Sequence, residues 1–446
     1  MEHRPLPSRA LVAILLLLAA ALPAVAGATP FAVAAGAAAT GTTGAKAGNG
    51  ASATWPFSLL DVPADRPTGD GVTVAVVDSG IDAGHPAFAG RIRATVDCVG
   101  ADGSADRCRR GGADDNGHGT HIAGIVAAAP RSAGDGPEGI APGVELLSVR
   151  SLSNTCDGKG DDRECRALGE LGDVVAGVRW AITHGADVVN LSIDAGVDLD
   201  WRRGELAAAI RSAWARGIVV VASAGNRSVK VDDPALRDVP LVLVGALDTS
   251  GERAAYTNLP TTAQWALMAP GGEAGGRCPA GAIRSTYPRT LVAAGEGCLA
   301  GTSMAAAYVS GSLASLMSTG IDAEQALAHL LSTAAPSQKG LPATVDLRAA
   351  LEATPTATVP LGATAAASGD AVPAAAEDAG PVSRLGSALS TMSATAERHP
   401  MRVRGLATAL LLWIAFAAYW WSERRGSSTR QMRSLTSSTV PTPSTR

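Results

Sequence analysis

Aromatic side chains are scarce, at 4% of the chain, and neither sign of charge prevails, with 37 Lys and Arg against 41 Asp and Glu. A net charge of −4 gives no basic field for a nucleic-acid partner and no argument for an acidic substrate, so no nucleic acid is expected. No Cys-x-x-Cys pair occurs among the six cysteines, which removes the usual metal-binding spacing. No His-Glu-x-x-His and no clustered carboxylate loop is present either, so no metal or other cofactor is expected and calcium has no motif to support it. What is abundant is small: 51 Gly and a large share of Ala within a chain that is 46% hydrophobic. That suits one large core with close helix–strand contacts, plus appendages.

The appendages are legible at both ends. Arg4 and Arg9 precede the apolar run 10–22, and Ala24-Val25-Ala26 offers small residues for cleavage, so residues 1–26 read as a secretory signal. Residues 405–421 are uncharged and contain Leu406, Leu410, Leu411, Leu412 and Ile414. At roughly 1.5 Å per residue they cover about 26 Å, against a hydrocarbon core of about 30 Å, so they can span if their ends adapt. Tyr419, Trp420 and Trp421 would sit at one interface. Arg424, Arg425, Arg430 and Arg433 follow, against only Arg402 and Arg404 before, which orients the carboxyl terminus into the cytoplasm. The expected location is therefore the cell membrane, single-pass, with the bulk of the chain outside. All six cysteines, Cys98, Cys108, Cys156, Cys165, Cys278 and Cys298, fall on that outer side and read as disulfides. Proximity suggests 98–108, 156–165 and 278–298, while six cysteines allow 15 pairings.

Residues 27–54 are Ala, Gly and Thr with almost no bulk, too poor to fold alone. Residues 55–352 carry the periodic segments. Apolar runs of strand length occur at 72–77, 188–193, 218–222 and 241–245. Leu171, Val174, Val175, Val178 and Ile182 follow helical spacing up to Gly185, and a second helix over 205–216 stops at Gly217. Strands alternating with helices predict an α/β fold, a mostly parallel central sheet with helices on both faces. Residues 353–404 are rich in Ala, Pro, Thr and Ser and read as a tether, and 422–446 as a polar cytoplasmic tail.

Three short segments carry chemistry: Val-Val-Asp78-Ser-Gly, Asn-Gly-His118-Gly-Thr-His and Gly-Thr-Ser303-Met-Ala-Ala. A serine hydroxyl is a poor nucleophile unless a base takes its proton and an acid fixes that base. Each segment alone is weak. Asp-Ser-Gly occurs in aspartic peptidases, which need two such loops where only one is present, and an esterase elbow needs its His after the Ser, where only His329 and His399 lie, in no motif. The order Asp, His, Ser is that of subtilisin. On these segments the region from about residue 55 to 354 resembles the subtilisin-like (S8) serine peptidases.

That resemblance implies a subtilisin-like three-layer fold and assigns Ser303 as nucleophile, His118 as general base then acid, and Asp78 as its orienter. It makes His121 a packed histidine. Ala-Ser-Ala-Gly-Asn226 resembles the family segment whose Asn amide enters the oxyanion hole, with the Ser303 backbone N–H as second donor. Asn190-Leu-Ser192-Ile193-Asp194-Ala resembles the substrate-lining strand, with Asp194 where glycine is common; a carboxylate facing the first specificity pocket would favour Lys or Arg there. Ala307 stands where the family usually has proline. Family members usually carry a folded inhibitory propeptide, for which 27–54 leaves little room. Asp114 and Asp115 read as a solvated turn, and His85 as a surface or hydrogen-bonding residue. Signal, peptidase domain, linker, span and basic tail together resemble the mycosins, membrane-anchored subtilases of type VII secretion. This implies protein or peptide substrates, a membrane partner through the carboxyl-terminal helix, and the secretion machinery as a further partner. The competing expectations are a structural stabiliser of a secretion membrane complex and a surface-tethered degradative subtilase.

Overall fold

The computed structural model describes residues 54–130, 136–157, 164–194, 199–274, 278–337 and 340–354, with the backbone of Ala32–Ala35. All of them fall in one compact unit, Met1–Gly369. The segments read as signal peptide, spanning helix and tail lie outside the described residues, as does the tether beyond Thr354. Among the described residues no helix is long and apolar enough to cross a membrane.

Short runs of Val, Leu and Ala pair into an eight-stranded sheet. Its order is Trp265–Pro270, Leu241–Leu247, Val219–Ser223, Val188–Leu191, Thr73–Asp78, Glu145–Arg150, Ile92–Asp97 and Arg109–Arg110. Every neighbouring pair is parallel except the last, where Arg109–Arg110 closes the edge antiparallel. The strand alternation divides the interior. Val74, Val76, Val188, Val219, Val221, Val242 and Val244 face one apolar cluster, while Ala75, Val77, Val189, Leu191, Val220 and Leu243 face the other. Both faces must therefore be covered. The helices His118–Ala127, Thr302–Met317 and Ala323–Thr333 supply the first cover, Leu171–Thr183 and Glu205–Trp214 the second. The three layers match the fold that the alternating pattern predicts, and each fully buried Val or Leu contributes about 1.5–3 kcal/mol.

The helix Thr302–Met317 is enclosed on all sides, with every residue from Thr302 to Leu316 buried. Small side chains make that possible, and Ala307, with no exposure, sits within an unbroken helix at the position where the resemblance leads one to expect proline. Three of its four serines satisfy their hydroxyls: Ser310 with Asn190 Oδ1 at 3.0 Å, Ser312 with the Tyr308 carbonyl at 2.9 Å, Ser315 with the Pro67 carbonyl at 2.7 Å. The fourth, Ser303, has no partner.

Ala32–Ala35, within the extension too poor in bulk to fold alone, pairs antiparallel with Ala167–Glu170 at the edge of a three-stranded sheet. Backbone pairing thus supplies what its side chains cannot. Disulfides join Cys98–Cys108, Cys156–Cys165 and Cys278–Cys298, the pairing that sequence proximity suggests. Cys98 is completely buried beside the second cluster. Replacing Cys98 and Cys108 together by Ser is expected to cost about 2–3 kcal/mol in urea unfolding, the loop-closure entropy of a short ring.

Candidate active site

Three neighbouring strands, Val219–Ser223, Val188–Leu191 and Thr73–Asp78, end side by side. Beyond their carboxyl ends stand Asn226, then Ser192-Ile193-Asp194, and at the last strand's own end Asp78. In a parallel sheet this edge is where side chains converge without disturbing the ladder. The helices opening at His118 and Thr302 pack against each other on one face of the sheet.

Asp78 is completely buried and His118 nearly so. His118 Nδ1 lies 2.7 Å from Asp78 Oδ1 and 2.9 Å from Oδ2. An ionised carboxylate only accepts, so the imidazole proton sits on Nδ1 and Nε2 keeps its lone pair. The Ser79 N–H donates to Asp78 Oδ1 at 2.7 Å and fixes the carboxylate in turn. Close approach of the helix depends on Gly119, where a Cβ would overlap the Gly80 carbonyl and press on Asp78 Cβ. No hydrogen bond joins His118 Nε2 to Ser303 Oγ, and both atoms are buried without a partner. Leaving such groups unmade costs about 1–3 kcal/mol each, and catalytic hydrogen bonds commonly tighten only when substrate binds.

Asn226 completes the set. Its Oδ1 accepts from the Thr302 backbone N–H at 2.9 Å and the Thr302 hydroxyl at 3.0 Å, one residue before Ser303. With the amide oxygen held there, the Nδ2 donors are turned elsewhere and are buried without a partner. A hydroxyl, an imidazole nitrogen and an amide donor, all unpaired, come from three distant parts of the chain. Such an arrangement can perform acyl transfer: a proton acceptor for the hydroxyl, and a preplaced donor for the oxygen that becomes negative.

Of the substrate-strand residues, Ser192 and Ile193 are almost fully buried, and the Ile193 carbonyl accepts the Ser223 hydroxyl. Asp194 is also buried, and the carboxylate that an acidic specificity pocket would need is already engaged. Arg227 Nε lies 2.7 Å from its Oδ2 as an ion pair, and Asn258 Nδ2 donates to its Oδ1 at 3.0 Å.

Asp114 corrects the sequence reading. The expected solvated turn exists only at Asp115, half exposed and 3.3 Å from Arg150. Asp114 itself is buried and accepts from Ser79 Oγ at 2.9 Å, Asn116 N at 3.0 Å, Gly117 N at 2.7 Å, Thr120 N at 2.9 Å and Thr120 Oγ1 at 2.6 Å. Burial pushes its carboxyl up, and these donors hold the charged form against that. Ser79 Oγ, donating to Asp114, accepts from Gly119 N at 2.9 Å, so Asp114 ties the Asp78 loop to the first turn of the His118 helix. A signal existed in the sequence: an Asp shortly before a helix start is a capping pattern.

His121 and His85 are structural. His121 Nε2 donates to the Ile283 carbonyl at 3.0 Å, and burial lowers its pKa to about 3, so it stays neutral. His85 is buried rather than superficial: its Nδ1 accepts from Ala87 N at 3.2 Å, so Nε2 donates to the Gly295 carbonyl at 2.9 Å. Among the described residues no group of three or more His, Cys, Asp or Glu is placed to hold a metal ion.

The subtilase family model matches residues 69–349. The chain is similar to Subtilisin BL of Lederbergia lenta, 33% identical over 266 residues, which cover 59% of this chain and 83% of that protein. It is similar to Thermitase of Thermoactinomyces vulgaris, 30% identical over 259 residues, 58% of this chain and 79% of that one. Among solved structures it resembles a protease of Pseudoalteromonas arctica PAMC 21717, at TM-score 0.54 and 25% identity, over 67% of this chain and 96% of that one.

Burial opposes protonation of His118, yet the Asp78 charge and hydrogen bond, with the Asp114 charge behind them, prevail and hold its pKa above the ordinary 6.5. A base must be neutral to accept a proton, so turnover is expected to fall as pH drops through that raised value. In a pH–rate profile, Asp78→Asn should move this acid limb to lower pH and reduce kcat by about 10⁴, because the tautomer is lost.

Proposed function

The chain belongs to the subtilase family and is a serine endopeptidase acting on protein or peptide substrates; on that premise we propose which residues do the work and where the enzyme is held. Ser303 Oγ attacks the scissile carbonyl while His118 Nε2 takes its proton, and Asp78 offsets the charge that the imidazole acquires. The tetrahedral oxygen is met by Asn226 Nδ2 and the Ser303 backbone N–H, the latter unpaired at a helix start. Collapse passes the proton from His118 to the leaving amine and leaves an acyl-enzyme. Water, deprotonated by the same imidazole, then releases the second product. Ser192, Ile193 and Asp194 lie along the substrate. The observation that carries this reading is the set of buried, unpaired atoms, Ser303 Oγ, His118 Nε2 and Asn226 Nδ2, together with the short Asp78–His118 bond.

In the same reading the enzyme is exported by residues 1–26 and anchored by residues 405–421, with the catalytic domain outside and residues 422–446 in the cytoplasm. The tether 353–404 raises the local concentration of substrates at the membrane surface. The order of segments supports a mycosin-like protease associated with type VII secretion, and no cofactor is invoked.

A fluorophosphonate probe applied to intact membranes is expected to label the full chain, and Ser303→Ala to abolish labelling without removing the protein. Alkaline carbonate should leave the chain in the membrane pellet. Labelling that persists in Ser303→Ala removes the nucleophile assignment, and release by carbonate removes the anchor. Loss of one processed product in Ser303→Ala, with export intact, would identify processing as the task, whereas loss of export only on deleting the whole protein would favour a structural role.

A further inference from the structure

Asp194 stands at a position where the family resemblance leads one to expect glycine, and its surroundings are those of a brace. Only 6% of its surface is exposed. Burying a carboxylate is costly unless it is paired and hydrogen-bonded, and here Arg227 Nε, 2.7 Å away, and Asn258 Nδ2, 3.0 Å away, meet one oxygen each. Both partners lead to Asn226. Arg227 follows it directly. Asn258, completely buried, takes up the backbone on both sides: its Nδ2 donates to the Ala224 carbonyl at 2.9 Å and its N–H to the Gly225 carbonyl at 2.8 Å. Its Oδ1 accepts from the Arg227 N–H at 2.9 Å and the Val229 N–H at 3.1 Å. The turn is also molded to the carboxylate. Gly225 has φ +102°, and a Cβ there would overlap Asp194 Oδ1.

We propose that Asp194 is a positioning residue for the oxyanion donor: through Arg227 and Asn258 it sets the turn that aims Asn226 Nδ2, instead of reading the substrate side chain by its charge. The inference rests on the assignment of Asn226 as that donor. A donor held by Thr302 at its oxygen alone can still rotate with the backbone that carries it; the brace removes that freedom. Arg227 also offsets a buried negative charge that would otherwise oppose the developing oxyanion. Its own side chain is 48% exposed, so its removal leaves the core intact.

The test uses the purified full-length chain and two peptide p-nitroanilides, with Leu or Arg before the scissile bond. Asp194→Asn keeps the volume and removes the charge. It is expected to lower kcat on both substrates by about 10- to 10²-fold, the scale of a misplaced catalytic group, with KM little changed. Arg227→Ala, which breaks the same pair from the exposed side, should act in the same direction. Asn226→Ala alone should cost about 10²–10³, the range found for such a donor in a subtilisin. Adding Asp194→Asn to Asn226→Ala should then cost little more, since the aimed donor is already gone. A loss confined to the Arg peptide, a loss carried by KM, or effects that multiply in the double variant would overturn the brace. Wild-type kcat in Asn226→Ala alone would instead remove the donor assignment beneath it, a result read without any Asp194 variant.

Discussion

A buried carboxylate with both oxygens engaged is the constraint on which this site depends. Asp78 has no solvent to stabilise its charge, and the His118 and Ser79 donors take that place. Because the acid is fixed, the imidazole has one tautomer and one orientation, and only then does an unpaired Nε2 have meaning. Asp114 repeats the device one layer out, its donors tying the loop that ends one strand to the helix that begins at His118. The interior that raises the cost of unpaired polar groups also strengthens the electrostatics of the paired ones.

Packing serves that arrangement. The Thr302–Met317 helix can lie buried on every side because its residues are small, and its remaining serines close their own hydrogen bonds against the sheet, a neighbouring loop and the helix backbone. Against that background the unpaired Ser303 hydroxyl is a local sacrifice of stability. Asn226 is built on a similar plan: its oxygen satisfied by Thr302, its donors left over. Asp194 is a charged group buried near this site with Arg227 against one oxygen and Asn258 donating to the other.

The strands Thr73–Asp78, Val188–Leu191, Val219–Ser223 and Leu241–Leu247 were legible as apolar runs, since a strand covered on both faces needs no alternation in polarity. The helix at 171–183 was legible from spacing. Ile92–Asp97 was not, because this strand near the sheet edge is half solvated and its Arg, Ala and Thr carry little pattern. Trp265–Pro270 has no β-branched residue, and pairing with Leu241–Leu247 makes it a strand. Asp114 was misread for a related reason: a lone acidic turn looks solvated until the partners that bury it are known.

The sequence by itself determined the candidate reactive groups, their order Asp78, His118, Ser303, and the periodicities that make a parallel sheet with helices on both faces, because these follow from residue type and local spacing. Only the tertiary structure decided that Asp114 is buried, that Asp194 spends its charge on Arg227, and that Asn226 offers its donors while Thr302 holds its oxygen. For Asp194 and Asn226 the partners lie dozens of residues away, as Ser79 does for Asp114, whose nearer donors close a turn whose burial only the fold sets; burial and hydrogen-bond satisfaction are properties of the folded interior.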